Sequence, residues 1–424
     1  MLKERINYLS HKMDISRKDL VHGLIATTHF ANILAGRYPL PEDIAEGIAQ
    51  RLNVTADYLI KADNSSESIL SEINDMTERL ITGTLDISFI SGLPEYENSL
   101  ILEVSRKLVQ ASFFLSMSQK EKAEKIESSY LNFYLKQFDN SSAELPNPLK
   151  KTLFYYKMQK VRSENYSGLA LEYCRNLLTL AYNNPNALIQ LKTFEIESLI
   201  YTEKYEEVDT LLEKLIGYCY FEGILYYFTQ LYIMYSGYLH KIKFHGKSLK
   251  YLEKAEENLR YNTPENALMY SLMIINNRIL IKLHINLFDE IENDLLTFER
   301  IAEKTTGNPF ITAQILTYEC ELYFKIKNFE KLEEKIEKLL KSDMSADQNM
   351  SLHFYLSILS MHKKDDDNFS KYINLCLPYF EEYKNVDRLV IIYKTLGTQA
   401  EEKRQYKQAS EYYFKLADLL EQRL

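Results

Sequence analysis

The sequence predicts an all-α protein, a small head of five helices followed by a long right-handed α-solenoid of helix pairs. Three observations predict it. The 424 residues hold only 12 Gly and 9 Pro, so little of the chain is punctuated by helix breakers. Apolar residues recur at three- and four-residue spacing between capping side chains and stop signals. From residue 148 onward an aromatic returns about every forty residues, which marks a repeat architecture.

The head comes first. Leu2-Lys3-Glu4-Arg5 opens an amphipathic helix. Ser16, followed by Asp19, caps a second short helix with Leu20 and Leu24 on its buried face. Thr27 is the expected cap of a third helix, whose Phe30, Ile33 and Leu34 share one side before Gly36 stops it. Pro41 stands where proline is tolerated at a helix start, and Ile44, Ile48 and Leu52 follow at helical spacing. Thr55 caps a last turn ending in Tyr58-Leu59. A helix, a tight turn and a second helix with a polar face is the geometry that sets a recognition helix in the major groove. Residues 1–62 therefore read as a helix-turn-helix domain of XRE/Cro-like kind, with double-stranded operator DNA as partner.

On the third helix, Thr28, His29 and Asn32 lie opposite Phe30 and Ile33. Asn32 suits a bidentate contact to adenine. Thr27, Arg17, Arg37 and Tyr38 are placed for backbone phosphates. Residues 1–62 carry eight Lys/Arg against seven Asp/Glu, a weakly basic balance that argues for a homodimer to accumulate phosphate contacts. The acidic excess behind the net charge of -9 lies in the rest of the chain and argues against broad nucleic-acid wrapping.

Residues 63–68 are polar, lack periodicity and read as a linker; residues 139–148 form a second break. Between them three or so helices are expected, one carrying a Leu100, Val104, Leu108 stripe. The repeat aromatics are Tyr166, Tyr205, Phe244, Phe288, Phe329, Phe369 and Tyr406, spaced by 39, 39, 44, 41, 40 and 37 residues. Each is preceded by an apolar helix of about twenty residues, so residues 69–424 read as tetratricopeptide-like pairs with a period above the ~34-residue norm. HEAT-like pairing is the rival. Small residues in the first helix persist at Cys320, Ser360 and Gly397.

In such arrays the first helix of each pair faces the ligand. Counting back fifteen, twelve and eight residues from each aromatic gives Lys151, then Gln190, Thr193 and Glu197, then Thr229, Tyr232 and Ser236. The later repeats give Asn276, then Gln314, Thr317 and Glu321, then Ser357, and last Lys394 and Thr398. A polar stripe through apolar helices needs partners, and an extended peptide supplies them. The amides would hold its backbone, Lys151 or Lys394 a carboxylate, and Glu197 or Glu321 a basic residue. The C-terminal helix sets Tyr413, Leu416, Leu419 and Leu420 on one side, to be self-covered or paired with a second subunit.

Several function classes are excluded. Cysteines 174, 219, 320 and 376 form no C-x-x-C pair, which argues against structural zinc or a disulfide framework and for a cytoplasmic location. Ile224 to Leu239 is broken by Thr229, Gln230 and Ser236, so it reads as a buried helix and no membrane association is expected. Nucleotide-loop, zinc-protease and hydrolase motifs are missing, so no enzyme and no cofactor is expected. Eight histidines form no close metal pair, His240 and His245 being five apart, and Asp365-Asp366-Asp367 reads as a solvated turn.

Leu20 to Ile25, Phe30-Ala31-Asn32-Ile33, Gly36, Tyr38-Pro39, Asp43-Ile44 and Gly47-Ile48-Ala49 resemble the head of the RRNPP family of peptide-controlled bacterial regulators. The PlcR type is nearest at the head, and the long array looks more like the NprR type. Leu34-Ala35 departs from the pattern, lacking the usual acidic residue before the stop. The resemblance implies a quorum-sensing-type transcriptional regulator whose array binds a short linear signalling peptide that switches DNA binding. It also implies an alternative, a Rap-like adaptor gripping a phosphorelay response regulator, with residues 69–138 as docking bundle.

Overall fold

The computed structural model describes residues 1–141, 145–304 and 310–421, and among these every regular element is helical. The chain divides into two compact units, residues 1–223 and 224–424.

In the first unit the head comprises α1 (Leu2–Met13), α2 (Arg17–Val21), α3 (Thr27–Leu34), α4 (Glu42–Leu52) and α5 (Ala56–Ile60). Then come α6 (Glu67–Ile81), α7 (Ile87–Gly92), α8 (Leu100–Ser116), α9 (Lys120–Ile126) and α10 (Asn132–Ser141). Residues 127–131 between the last two wind as a π-helix. Pairs α11 (Asn147–Ser163) with α12 (Ser167–Leu178), and α13 (Pro185–Tyr201) with α14 (Val208–Phe221), complete it.

The caps act where their side chains allow. Ser16 accepts from the Asp19 amide and Thr55 from the Tyr58 amide. Thr27 does not cap. Ala26 holds the N-cap position of α3 without a side-chain bond, and Thr27 is the first helical residue. Gly36 stops α3 at φ 72°, its amide bonding the Ile33 carbonyl.

Packing does not pause after the head. Ile6, Leu20, Phe30, Ile48 and Leu59 share one apolar core with Leu100, Val104, Leu108 and Leu149. The stretch expected as a linker is short and held at its start. Lys61–Asp63 is a 3-10 turn, Ala62 is buried, Asp63 pairs with the N-terminal ammonium at 2.8 Å, and Ser99 donates to the Asn64 carbonyl. Of the second expected break, residues 142–144 lie outside the described residues.

At the centre of this core Arg5 is 0% exposed and Glu103 1%. The Arg5 guanidinium donates to the carbonyls of Tyr58, Asn98 and Glu97 at 2.5, 2.5 and 2.7 Å and to the Glu103 carboxylate at 3.4 Å. The hydroxyls of Tyr58 and Tyr130 and the Glu97 amide donate to Glu103 as well. Burial, then the Glu103 charge, raises the Tyr58 hydroxyl well above its ordinary range. The head is thus joined to α8 through a charged pair that only its hydrogen bonds make tolerable.

Among its described residues the second unit holds five helix pairs: α15 (Phe228–Lys241) with α16 (His245–Glu257), and α17 (Pro264–His284) with α18 (Ile291–Ala302). Then follow α19 (Ile311–Lys325) with α20 (Phe329–Leu339), α21 (Ala346–His362) with α22 (Asp366–Glu382), and α23 (Val386–Glu402) with α24 (Tyr406–Glu421). Each repeat aromatic falls at or just before the start of a second helix, or in its first turn. The turns in front of them close in the left-handed region without glycine, at Lys243 (φ 66°), Asn286 (φ 60°), Lys327 (φ 59°), Lys364 (φ 58°) and Arg404 (φ 57°). Each carries the paired bonds of a Schellman stop; in the first, Lys243 and Phe244 amides reach the His240 and Leu239 carbonyls.

Gly397 is small for a reason. A Cβ there would stand 2.7 Å from the Tyr413 ring. The four cysteines are buried free thiols, and Asp365 caps α22 by accepting from the Asn368 amide. No helix is long and apolar enough to cross a membrane among the described residues.

Candidate DNA-binding and peptide-binding sites

The exposed side of α3 gathers the head residues singled out by sequence. Thr27, Thr28, His29, Arg37 and Tyr38 are exposed, and Phe30, Ile33 and Leu34 anchor the other side in the core. Asn32 is half-buried, and its side-chain carbonyl accepts from Arg37 Nη1 at 2.9 Å. His29 and Tyr38 stack with ring centres 5.4 Å apart. Arg17 is exposed on α2 and donates to Asn7 at 2.6 Å. Sequence reasoning missed Arg51. From α4 its guanidinium donates to the carbonyls of Asp19, Leu20 and His22, closing the C-terminal end of α2 and tying it to α4.

The expected ligand register on the repeats divides in two. Five members are buried and satisfied within the protein. Lys151 is 2% exposed, its ammonium bonded to Glu78, Asn74 and the Ala181 carbonyl. Burial lowers its pKa against the opposing pull of Glu78, so it serves as an internal ion pair and not as a carboxylate receptor. Thr193 returns its hydroxyl to the Ile189 carbonyl. Thr229 accepts from Asn262, Ser236 contacts the Ser248 hydroxyl at 2.8 Å, and Ser357 bonds the Phe354 carbonyl. These four hydroxyl groups are small enough to pass under a partner helix, where a local backbone bond (Thr193, Ser357) or a side chain of a neighbouring element (Thr229, Ser236) meets their need.

The other members keep some access. Gln190 is half-buried on α13, and Glu197 pairs with Arg162 at 2.9 Å beside a cavity of about 410 Å³ that Ser198 and Tyr201 also line. Tyr232 is half-buried against Phe228 and Tyr251. Thr317 bonds back to the Ala313 carbonyl. Lys394 and Thr398 are exposed on α23.

Asn276 and Gln314 meet in the second unit. Both line a cavity of about 360 Å³ with Asn277 and Gln348, floored by Leu272, Met273, Phe298, Phe310 and Ile311. Tyr318 donates to Asn276 at 2.6 Å, and the Gln348 amide donates to Gln314 at 3.0 Å. The four carboxamides stand over an apolar floor, and Gln348 is engaged at both ends, its NH2 with Gln314 and the Phe310 carbonyl and its oxygen with the Ser345 amide. Further along, Glu321 accepts from Arg388 at 2.6 Å and Tyr355 at 2.7 Å. Burial would raise its pKa, but the Arg388 charge and the Tyr355 and Arg388 hydrogen bonds outweigh it and hold the carboxyl below its ordinary value. Gln348, Tyr318 and Arg388 escaped the sequence reading because they lie outside its counted register. Gln348 alone carried a signal, as the far member of a capping box with Ser345.

Although five apart, His240 and His245 close on each other across the turn between α15 and α16, Nδ1 to Nδ1 at 3.0 Å. Burial first, then His284 and His245, lowers the His240 pKa to about 4.

No family model matches the chain, and no curated protein matches it. Among solved structures it is similar to the crystal structure of Bacillus thuringiensis PlcR in complex with the peptide PapR7 and DNA. The identity is 13% and the TM-score 0.33, over 65% of this chain and 99% of that one.

Proposed function

We propose that this chain is a cytoplasmic transcriptional regulator that reads operator DNA through α2 and α3 and is switched by a short peptide. In this reading residues 1–62 are a helix-turn-helix domain and residues 69–424 a receptor of tetratricopeptide-like pairs. The single observation that carries it is α3 itself: a short helix anchored by three buried apolar residues, with Thr27, Thr28, His29, Arg37 and Tyr38 exposed together. Thr28 and His29 face base edges, and Arg17, Arg37 and Tyr38 meet phosphates. Two heads of a homodimer engage half-sites about one helical turn (~34–36 Å) apart.

The amide-lined cavity at Asn276, Asn277, Gln314 and Gln348 supports the peptide half. Carboxamides pair with a peptide backbone whatever its sequence, and the apolar floor selects a side chain.

Selection of bound duplexes from a random pool by the purified chain tests the DNA half. A defined preference is expected for the wild type and its loss in a Thr28→Ala, Asn32→Ala double variant. An unchanged preference in that variant contradicts the assignment.

A further inference from the structure

His240 ends α15, His245 begins α16 and His284 ends α17, so three separate helix termini deliver imidazoles to one place in the second unit. Their ring centres stand 4.8, 5.1 and 5.2 Å apart. Imidazoles bound to one tetrahedral Zn²⁺ through nitrogens at ~2.0–2.1 Å have ring centres about 5 Å apart. The two closest nitrogens, His240 Nδ1 and His245 Nδ1, already approach to 3.0 Å. In this conformation no three donor groups among the described residues converge on a metal-sized gap. His284 is exposed, its ring edge-on to His240 and tilted to His245, and a change of its rotamer is what would bring a nitrogen toward the other two.

We propose that His240, His245 and His284 form a site for a divalent transition metal of zinc type, completed when the His284 ring turns a nitrogen toward the other two. Three imidazoles suit Zn²⁺ and leave its fourth position to water, because the site opens to solvent on the His284 side. The bound ion would tie the ends of α15 and α17 to the start of α16. This site is separate from the amide-lined cavity and does not depend on the peptide reading.

Calorimetric titration of the chelator-treated full-length protein with zinc sulfate tests it. One ion per chain at micromolar or tighter Kd is expected, with affinity at least tenfold weaker in His284→Ala and in His245→Ala. His353→Ala, remote in sequence and stacked on Tyr372, is expected to bind as the wild type does. Melting curves of the metal-free variants confirm that each is folded, His284 being exposed and dispensable for packing. Zinc should also raise the melting temperature of the wild type and not of His284→Ala. No binding by the wild type, or equal affinity in wild type, His245→Ala and His284→Ala, overturns the proposal, the second result marking an adventitious ion only.

Discussion

At Asn32 the structure changes what the residue can do. Its carbonyl oxygen already accepts from Arg37, so a bidentate grip on adenine must share that oxygen, through its second lone pair, with the guanidinium. Arg37→Ala is therefore expected to free Asn32 while removing a phosphate contact. Duplex affinity should fall, and its dependence on salt should flatten by about one unit of slope per head, about two for the homodimer. Anisotropy titrations at several salt concentrations measure both. Affinity lost without change in salt slope contradicts a phosphate role.

Glu321 gives a pH prediction. Its carboxyl is held below its ordinary value in the folded state, so its contribution is present above the unfolded pKa of ~4.3 and lost as pH falls through the lower folded value. The wild type should lose melting temperature below about pH 4. Glu321→Gln should cost roughly 1–3 kcal/mol at pH 7 and flatten that acid limb, as scanning calorimetry from pH 3 to 7 reads directly. An acid limb equally steep in the variant would place the titration elsewhere.

At the scale of elements, much was legible and the failures share causes. Ser16, Thr55 and Gly36 were readable because a hydroxyl cap or a glycine stop announces itself. The stops of the repeat helices were not, since Lys243, Lys327 and Arg404 hold left-handed backbone that glycine or asparagine usually fills. Removing that strain should stabilise: Lys327→Gly is expected to add about 1 kcal/mol and raise the melting temperature by about 2–4 °C. A lower melting temperature would show that the Lys327 side chain outweighs its backbone. The ligand register failed at Thr193, Thr229, Ser236 and Ser357 for another reason. A count along one helix cannot tell a polar group that faces a groove from a small hydroxyl satisfied beneath the next helix. Asn276 and Gln314 stay at a cavity wall because a carboxamide has more hydrogen-bonding groups than a local backbone bond can meet.

At the scale of the whole molecule, the head was expected to be a separate domain on a linker, but its core is continuous with the helices that follow. Nothing in the local pattern of Arg5, Tyr58 and Glu103 signals this, because the three are far apart in sequence and meet only in the fold. Arg5→Met should leave the buried Glu103 charge without its counter-ion and three backbone carbonyls without their guanidinium donor, at a cost of about 3–5 kcal/mol. Urea denaturation measures the loss. A change below about 1 kcal/mol would show that water or rearrangement replaces the guanidinium.

A melting scan of the purified chain against short synthetic peptides encoded beside its own gene tests the peptide switch most directly. A concentration-dependent rise of several degrees with one peptide, lost in Asn276→Ala, Gln314→Ala, is the predicted result. No rise with any of them, or a rise that survives the double variant, contradicts a peptide switch seated in the amide-lined cavity.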